Sequence, residues 1–234
     1  MSPTSKLCAM AATVRAKHER RKNARPSELL AAALELFVEK GFAATRVEEV
    51  AKRAGVSKGT LFLYFSSKEE LFKAVVRENI AGRYPEWNAR FDAYQGSTAD
   101  LLRLFMQQWW VHVGDTPASG ISKLMMSEAS NFPELAAFYQ QEVIDPGMAL
   151  IRRILQRGVD SQEFRPMDMA HGVYTVLAPM LFLATWKHSF GHCASRTSER
   201  LVPEAYIATQ VETILYGLSP SGPPSLPSQK TPAS

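Results

Sequence analysis

Two cysteines, Cys8 and Cys193, are all that the 234-residue sequence contains, and they form no close-spaced motif. Neither a disulfide framework nor a zinc module is indicated, and a reducing compartment is the natural setting. No long uninterrupted apolar run is present. The longest, Val173 to Trp186, is broken by Thr175, Pro179 and Thr185 and falls short of the roughly 20 residues of a membrane-spanning helix, so a buried core helix is predicted. Met1 to Thr13 lacks the apolar centre of a signal peptide, and a cytoplasmic protein without a membrane partner is expected. The sequence has no P-loop, dinucleotide fingerprint or nucleophile elbow, so no cofactor is implied and an enzyme is not expected. Hairpin signatures and sustained strand-like alternation are missing as well.

What the chain does have is enough apolar matter to fold, 46% hydrophobic against 21% charged residues, which excludes disorder as its global state. Its charge is unevenly placed. Residues 1–60 hold 12 Lys and Arg against 6 Asp and Glu, a net of +6, whereas residues 61–234 hold 15 against 17, a net of −2. A basic first quarter beside a slightly acidic remainder points to a polyanion-binding end.

Apolar residues recur at helical spacing through most of the chain, so the fold class is all-α with about nine helices. The first opens at Pro26 and Ser27 and ends near Gly41, a residue suited to the left-handed position after a helix. Thr45 and Glu48 are spaced as a capping box for the second. After Gly55 and Val56 a third begins with Ser57 as N-cap, running toward Phe65. Two short helices joined by a tight glycine turn make a helix-turn-helix. A fourth, capped by Ser67 and Glu70, runs until Pro85. Further helices are expected over Asp100–Val113, Ser122–Ser130, Pro133–Arg157 with an interruption at Pro146 and Gly147, Asp168–Trp186, and from Pro203 to Leu218. The tail 219–234 carries five prolines and five serines, a composition that cannot continue a helix or bury a core.

In a helix-turn-helix the second helix enters the major groove, and residues near its start reach base edges. Here the exposed positions are Lys58, Gly59, Thr60, Leu63 and Tyr64. Lys58 can donate to guanine or phosphate, Thr60 can offer a hydroxyl or a methyl, Leu63 can meet a thymine methyl, and Gly59 permits close approach. Thr45 and Arg46 at the start of the second helix, and Lys68 at the start of the fourth, stand where phosphates are bound. Tyr64 has a competing role as a core aromatic. The basic arm, with Arg15, Lys17, Arg20, Arg21, Lys22 and Arg25, either enters a minor groove or is a solvated tail adding nonspecific attraction.

The stretch Gly55-Val56-Ser57-Lys58-Gly59-Thr60-Leu61-Phe62-Leu63-Tyr64-Phe65-Ser66-Ser67-Lys68-Glu69-Glu70-Leu71, with Gly41-Phe42 and Val50-Ala51 before it, closely resembles the signature of TetR/AcrR-type transcriptional regulators. The resemblance covers about residues 26–75. It implies base contacts from Lys58, Thr60 and Leu63 and phosphate contacts from Thr45, Tyr64 and Lys68. Phe62 departs from the pattern: it stands where the family usually has a tyrosine whose hydroxyl touches a phosphate, so that contact is lost.

The same resemblance implies a flexible arm over 1–25, a DNA-binding domain over 26–72 and an effector-binding and dimerisation domain over 73–218. Its function would be that of a homodimeric repressor, released from a palindromic operator in double-stranded DNA by a small hydrophobic or amphipathic effector. The last two helices, about Asp168–Lys187 and Pro203–Leu218, would form the dimer interface, although the apolar stripe of the last could equally cover an ordinary core. Candidate effector-lining residues are Phe105, Trp109, His112, Met125, Phe138, Tyr174, Phe182 and Trp186, a mixture that suits either an apolar pocket or a core. His188, His192 and Cys193 have a spacing that could bind a metal, but no fourth ligand lies nearby, so no metal site is expected. The alternative is a helical small-molecule-binding or adaptor protein that does not read DNA.

Overall fold

The computed structural model describes residues 26–191 and 201–220. The basic arm, His192, Cys193 and nearly all of the Pro/Ser-rich tail lie outside them. Among the described residues the chain is helical without strands, as expected: α1 (26–44), α2 (Val47–Arg53), α3 (Lys58–Phe62), α4 (Lys68–Asn79), α5 (Tyr84–Ala93), α6 (Thr98–Trp109), α7 (Ser119–Glu128), α8 (Pro133–Tyr139), α9 (Asp145–Asp160), α10 (Met169–Ser189) and α11 (Pro203–Leu218). A 3-10 turn, Ala81–Arg83, connects α4 to α5. π turns at Trp110–Gly114 and Gln140–Ile144 extend α6 and join α8 to α9.

Two compact units are formed. Among the described residues, the first contains those up to Gly82 together with Gly120–Glu142, and the second contains Arg83–Ser119 and those from Val143 onward. The boundary drawn at residue 72 therefore falls inside α4, a continuous helix. The α7–α8 segment, assigned by sequence to the rear domain, clusters with the helix-turn-helix.

The first unit is built on three phenylalanines. Phe37, Phe42 and Phe72 are fully buried, with ring centroids 5.3–5.6 Å apart, and Phe132 packs edge-on against Phe42 at 4.8 Å. Each such ring contributes about 1.5–3 kcal/mol relative to exposure. Leu29, Ala33, Leu36, Val50, Ala51, Leu61, Leu71 and Val75 complete this core, at the helical spacings read from sequence.

In the second unit α6, α9, α10 and α11 pack around Leu102, Met106, Ile154, Val176, Met180 and Val211. Asp168 caps α10 by accepting from the Ala170 amide at 2.8 Å, as expected. α10 is not the buried core helix that was expected. It spans 21 residues, longer than the apolar run suggested, and only 28% of its most apolar window is buried. Val173, Val176, Met180, Leu183 and Ala184 face inward, while Tyr174, Phe182 and Trp186 are exposed.

Three further expectations are corrected. Pro85 opens a helix instead of ending one, because proline at the first turn loses no helical hydrogen bond. Gly41 does adopt φ of +83°, but α1 continues one more turn to residue 44. The capping box at Thr45 is not formed. Arg46 is the N-cap of α2 and contributes no side-chain bond, whereas the Thr45 hydroxyl points into the core.

Arg157-Gly158 and Glu163-Phe164-Arg165, at and just beyond the end of α9, join neighbouring elements. Phe164 packs where a Cβ on Gly158 would stand 2.1 Å away. Arg157 donates to the carbonyls of Tyr94 and Gly96, and Arg165 to that of Gly217 at 2.6 Å. Burial pushes the Glu163 carboxyl up, but hydrogen bonds from Thr98, Ser161 and Ala99 outweigh it and hold the group below the ordinary range. These contacts tie the end of α9 to the start of α6 and the end of α11.

Candidate nucleic-acid interface

α2 and α3 enclose a tight turn at Gly55, whose φ of +67° requires the left-handed region. Ser57 then caps α3, its hydroxyl oxygen accepting from the Thr60 amide at 3.1 Å. Leu61 is the anchor that holds this short helix to the core, with none of its surface exposed. Lys58, Gly59, Phe62 and Leu63 are exposed as a consequence, and Thr60 is half-buried. α3 is shorter than the predicted Ser57–Phe65: Leu63 is its C-cap, and Tyr64, half-buried, lies just beyond it.

The polar side chains on this surface have partners. Lys58 Nζ lies 2.5 Å from Glu48 Oε1 and 5.7 Å from the centroid of the Phe62 ring. The hydrogen bond from Lys58 is the leading reason that the Glu48 carboxyl is held below the ordinary glutamate range. Glu48, read from sequence as a capping-box residue, thus restrains the recognition helix instead. The Thr60 and Ser57 hydroxyls are hydrogen-bonded at 2.9 Å. Arg46, the N-cap of α2, is exposed.

Two residues expected to touch phosphates are used differently. Thr45 is 1% exposed, and its hydroxyl donates to Gly41 O at 2.7 Å, with Leu36 O at 3.1 Å. That burial withdraws its side chain from the surface. Lys68 Nζ donates to the carbonyls of Phe42, Ala43 and Thr45 at 2.8, 3.3 and 3.2 Å and stands 4.4 Å from the Phe42 ring centroid. It fastens the last turn of α1 and Thr45 to the start of α4. Glu128, at the end of α7, completes this clamp by accepting from the Phe42 and Ala43 amides at 3.0 and 3.1 Å. Sequence reasoning missed Glu128, since nothing local marks a carboxylate whose partners lie 85 and 86 positions away.

The eight candidate effector residues do not form one site. Met125 and Phe138 belong to the core of the first unit, Phe138 beneath Lys73 and Arg77. In the second unit a half-open cleft is lined by Trp87, Arg90, Phe91, Leu101, Leu104, Phe105, Gln108, Leu150 and Ile154. Of the candidates Phe105 lines it, His112 Nε2 reaches the lining residue Gln108 at 3.0 Å, and Trp109 packs against the neighbouring core. Trp87, Arg90 and Phe91 were missed because α5 was missed. The signal was Pro85 at a helix start, followed by Trp87 and Phe91 at four-residue spacing.

Tyr174, Phe182 and Trp186 are instead on the outer face of α10. Phe182 lies 5.7 Å from Trp186 and 5.9 Å from Tyr206 of α11, and Trp186 lies 5.0 Å from Phe190, centroid to centroid. His188 is partly buried and bonded to the Ser119 hydroxyl at 2.8 Å. Among the described residues no group of His, Cys, Asp and Glu could hold a metal ion.

Comparison with known proteins agrees with this architecture. The profile described as bacterial regulatory proteins, tetR family, matches residues 29–75, and that of the tetracyclin repressor-like C-terminal domain matches residues 93–205. The HTH-type transcriptional regulator YfiR of Bacillus subtilis is 29% identical over 157 residues, covering 63% of this chain and 71% of YfiR. RutR of Escherichia coli, also an HTH-type transcriptional regulator, is 44% identical over 88 residues, a match that spans 38% of this chain and 40% of RutR. The fatty acid degradation regulator FadR from Bacillus halodurans shares the fold, with a TM-score of 0.66 at 19% identity, over 83% of this chain and 96% of its own. Motif, fold and relatives agree: the chain belongs to the tetR family of bacterial regulatory proteins and is a DNA-binding transcriptional regulator.

Proposed function

We propose that the protein is a homodimeric cytoplasmic repressor that leaves a palindromic operator when a small hydrophobic or amphipathic effector binds. The observation that carries the DNA-binding part is the outer surface of α2 and α3. There Arg46, Lys58, Gly59 and Leu63 are exposed on a scaffold fixed by Leu61 and by the clamp of Glu128 and Lys68. Arg46 supplies a phosphate contact, while Ser57 and Thr45 act by shaping the backbone. Tyr64 and Lys68 adjoin the same surface, and Lys68 adds its charge there without a free ammonium proton.

Dimerisation is supported by the exposed aromatic face of α10 and α11, since a soluble chain rarely leaves so many large apolar side chains together in water. Two copies would bury Phe182, Trp186 and Tyr206 and set two reading helices on one operator. For the effector, the cleft of the second unit offers an apolar wall with two polar groups, Arg90 and Gln108, joined at 3.2 Å. An apolar body with one polar end suits it.

Incubating the purified chain with a random-sequence duplex library, followed by several rounds of selection, should enrich an inverted repeat. Failure to enrich any duplex would refute the reading. Sedimentation should give twice the chain mass, reduced to the chain mass by Phe182→Glu combined with Trp186→Glu.

A further inference from the structure

The cleft formed by α5, α6 and α9 has a polar edge that can only donate hydrogen bonds. Seven of its nine lining residues are apolar, the other two are Arg90 and Gln108, and no carboxylate is among them. Arg90 Nη1 donates to Gln108 Oε1 at 3.2 Å. A guanidinium has only hydrogens to give, so the Gln108 atom facing it is the carbonyl oxygen. His112 Nε2 lies 3.0 Å from that same oxygen and therefore donates to it as well. Both lone pairs of the Gln108 oxygen are thus used, while its amide nitrogen has no hydrogen-bond partner among the described residues. Apart from Gln108, Arg90 is held by Glu86, one helical turn earlier on α5, at 2.8 Å. Both of these side chains are exposed, and such a pair contributes little in water. What the lining side chains leave for a bound molecule is one positive charge and a set of N–H donors, without an acceptor or a negative charge.

We propose that the cleft takes a monocarboxylate with an apolar body and discriminates against an amine or an alcohol of the same shape. The proposal rests on the effector reading above and adds the charge of the effector and the groups that recognise it. The carboxylate accepts from Arg90 in place of Glu86 and from the Gln108 amide nitrogen, while the body lies against Trp87, Phe91, Phe105 and Leu150. Two oxygens that carry no hydrogen match a donor-only edge, and the charge strengthens each bond. An ammonium group would bring more hydrogens and a second positive charge to the same place, and a hydroxyl brings no charge to meet the guanidinium. His112 is a positioning residue: by occupying the second lone pair it keeps the Gln108 oxygen engaged and the amide nitrogen available.

The test uses the full chain and three soluble probes with one body, 4-phenylbutanoate, 4-phenylbutanol and 4-phenylbutylammonium. In isothermal titration the carboxylate should bind at least about tenfold more tightly than either of the others, the factor expected of hydrogen bonds to a charged group. Arg90→Gln should lower the carboxylate to the affinity of the alcohol and leave the alcohol unchanged. Glu86→Gln should tighten the carboxylate about twofold, since the competing ion pair is gone. Leu104→Glu, at an exposed lining position, should abolish carboxylate binding and favour the ammonium probe. All three substitutions are at exposed positions, and circular dichroism checks that the variants fold. An alcohol or ammonium probe that binds the wild type as tightly as the carboxylate overturns the proposal, as does an Arg90→Gln variant with undiminished preference, or a carboxylate that does not bind at millimolar concentration. A carboxylate that binds with this selectivity but does not release the duplex enriched by selection refutes the effector reading and upholds the chemistry of the cleft. Release by the alcohol or the ammonium probe in preference to the carboxylate upholds the effector reading and overturns this proposal alone.

Discussion

Replacing Gly41 by alanine perturbs two things at once, and a second substitution separates them. With φ at +83° the new side chain is forced into the left-handed region, at about 1–2 kcal/mol. The added Cβ would also stand 2.3 Å from Glu128 Oε1, so the carboxylate must swing away and abandon the Phe42 and Ala43 amides. Hydrogen bonds to a charged acceptor are stronger than neutral ones, but the Ala43 bond is exposed to water, so the pair together is worth about 2 kcal/mol. Gly41→Ala should therefore cost about 3–4 kcal/mol in the wild-type background and only about 1–2 kcal/mol when Glu128→Ala has already removed the clamp. Urea unfolding of the four proteins, followed by far-ultraviolet circular dichroism, gives the coupling energy. Amide exchange at Phe42 and Ala43 shows whether these two groups are the ones released. Costs that add within about 0.5 kcal/mol, or exchange rates at Phe42 and Ala43 that do not change in Glu128→Ala, would refute the clamp.

Thr45→Val should destabilise the chain by about 1–3 kcal/mol, because the buried carbonyl it serves loses its donor, while Thr45→Ser retains most of the stability; thermal melts that do not separate the two variants contradict this. Lys68→Ala should lower the urea midpoint through the loss of three carbonyl contacts. An unchanged midpoint, with the salt dependence of DNA binding reduced by about one unit of slope, would return Lys68 to a direct phosphate role. The Glu142 carboxyl is held below its ordinary value of 4.5 chiefly by its hydrogen bonds with Arg77. Its contribution to stability is therefore present above that value and lost as the pH falls through the depressed one. Glu142→Gln should flatten the pH dependence of unfolding in that acid window, and identical acid-unfolding profiles would argue against the pair.

The sequence by itself determined the helical class, the existence of α3 and the exposure of Lys58, Gly59 and Leu63. Each of these is local: Ser57 meets its amide partner three residues on, and Leu61 and Leu63 are sorted inward and outward by helical period alone. The start of α11 at Pro203 and the cap of α10 at Asp168 were legible for the same reason. Only the tertiary structure decided what polar side chains with several possible partners would do. Thr45 could cap α2 or turn inward, and burial beneath α1 turned it inward. Lys68 could face phosphate or protein, and the carbonyls at the C-terminal end of α1 took its ammonium protons. Glu48 was free to cap a helix until Lys58 was brought within 2.5 Å, and Glu128 had no recognisable role until its α7 was packed beside Phe42. The aromatic candidates divided in the same way. Residue type put Phe105, Phe138 and Trp186 together as effector-lining candidates, but packing assigned one to a cleft, one to a core and one to an exposed face. Periodicity fixes direction relative to one helix axis, and only the neighbouring helices determine what lies in that direction.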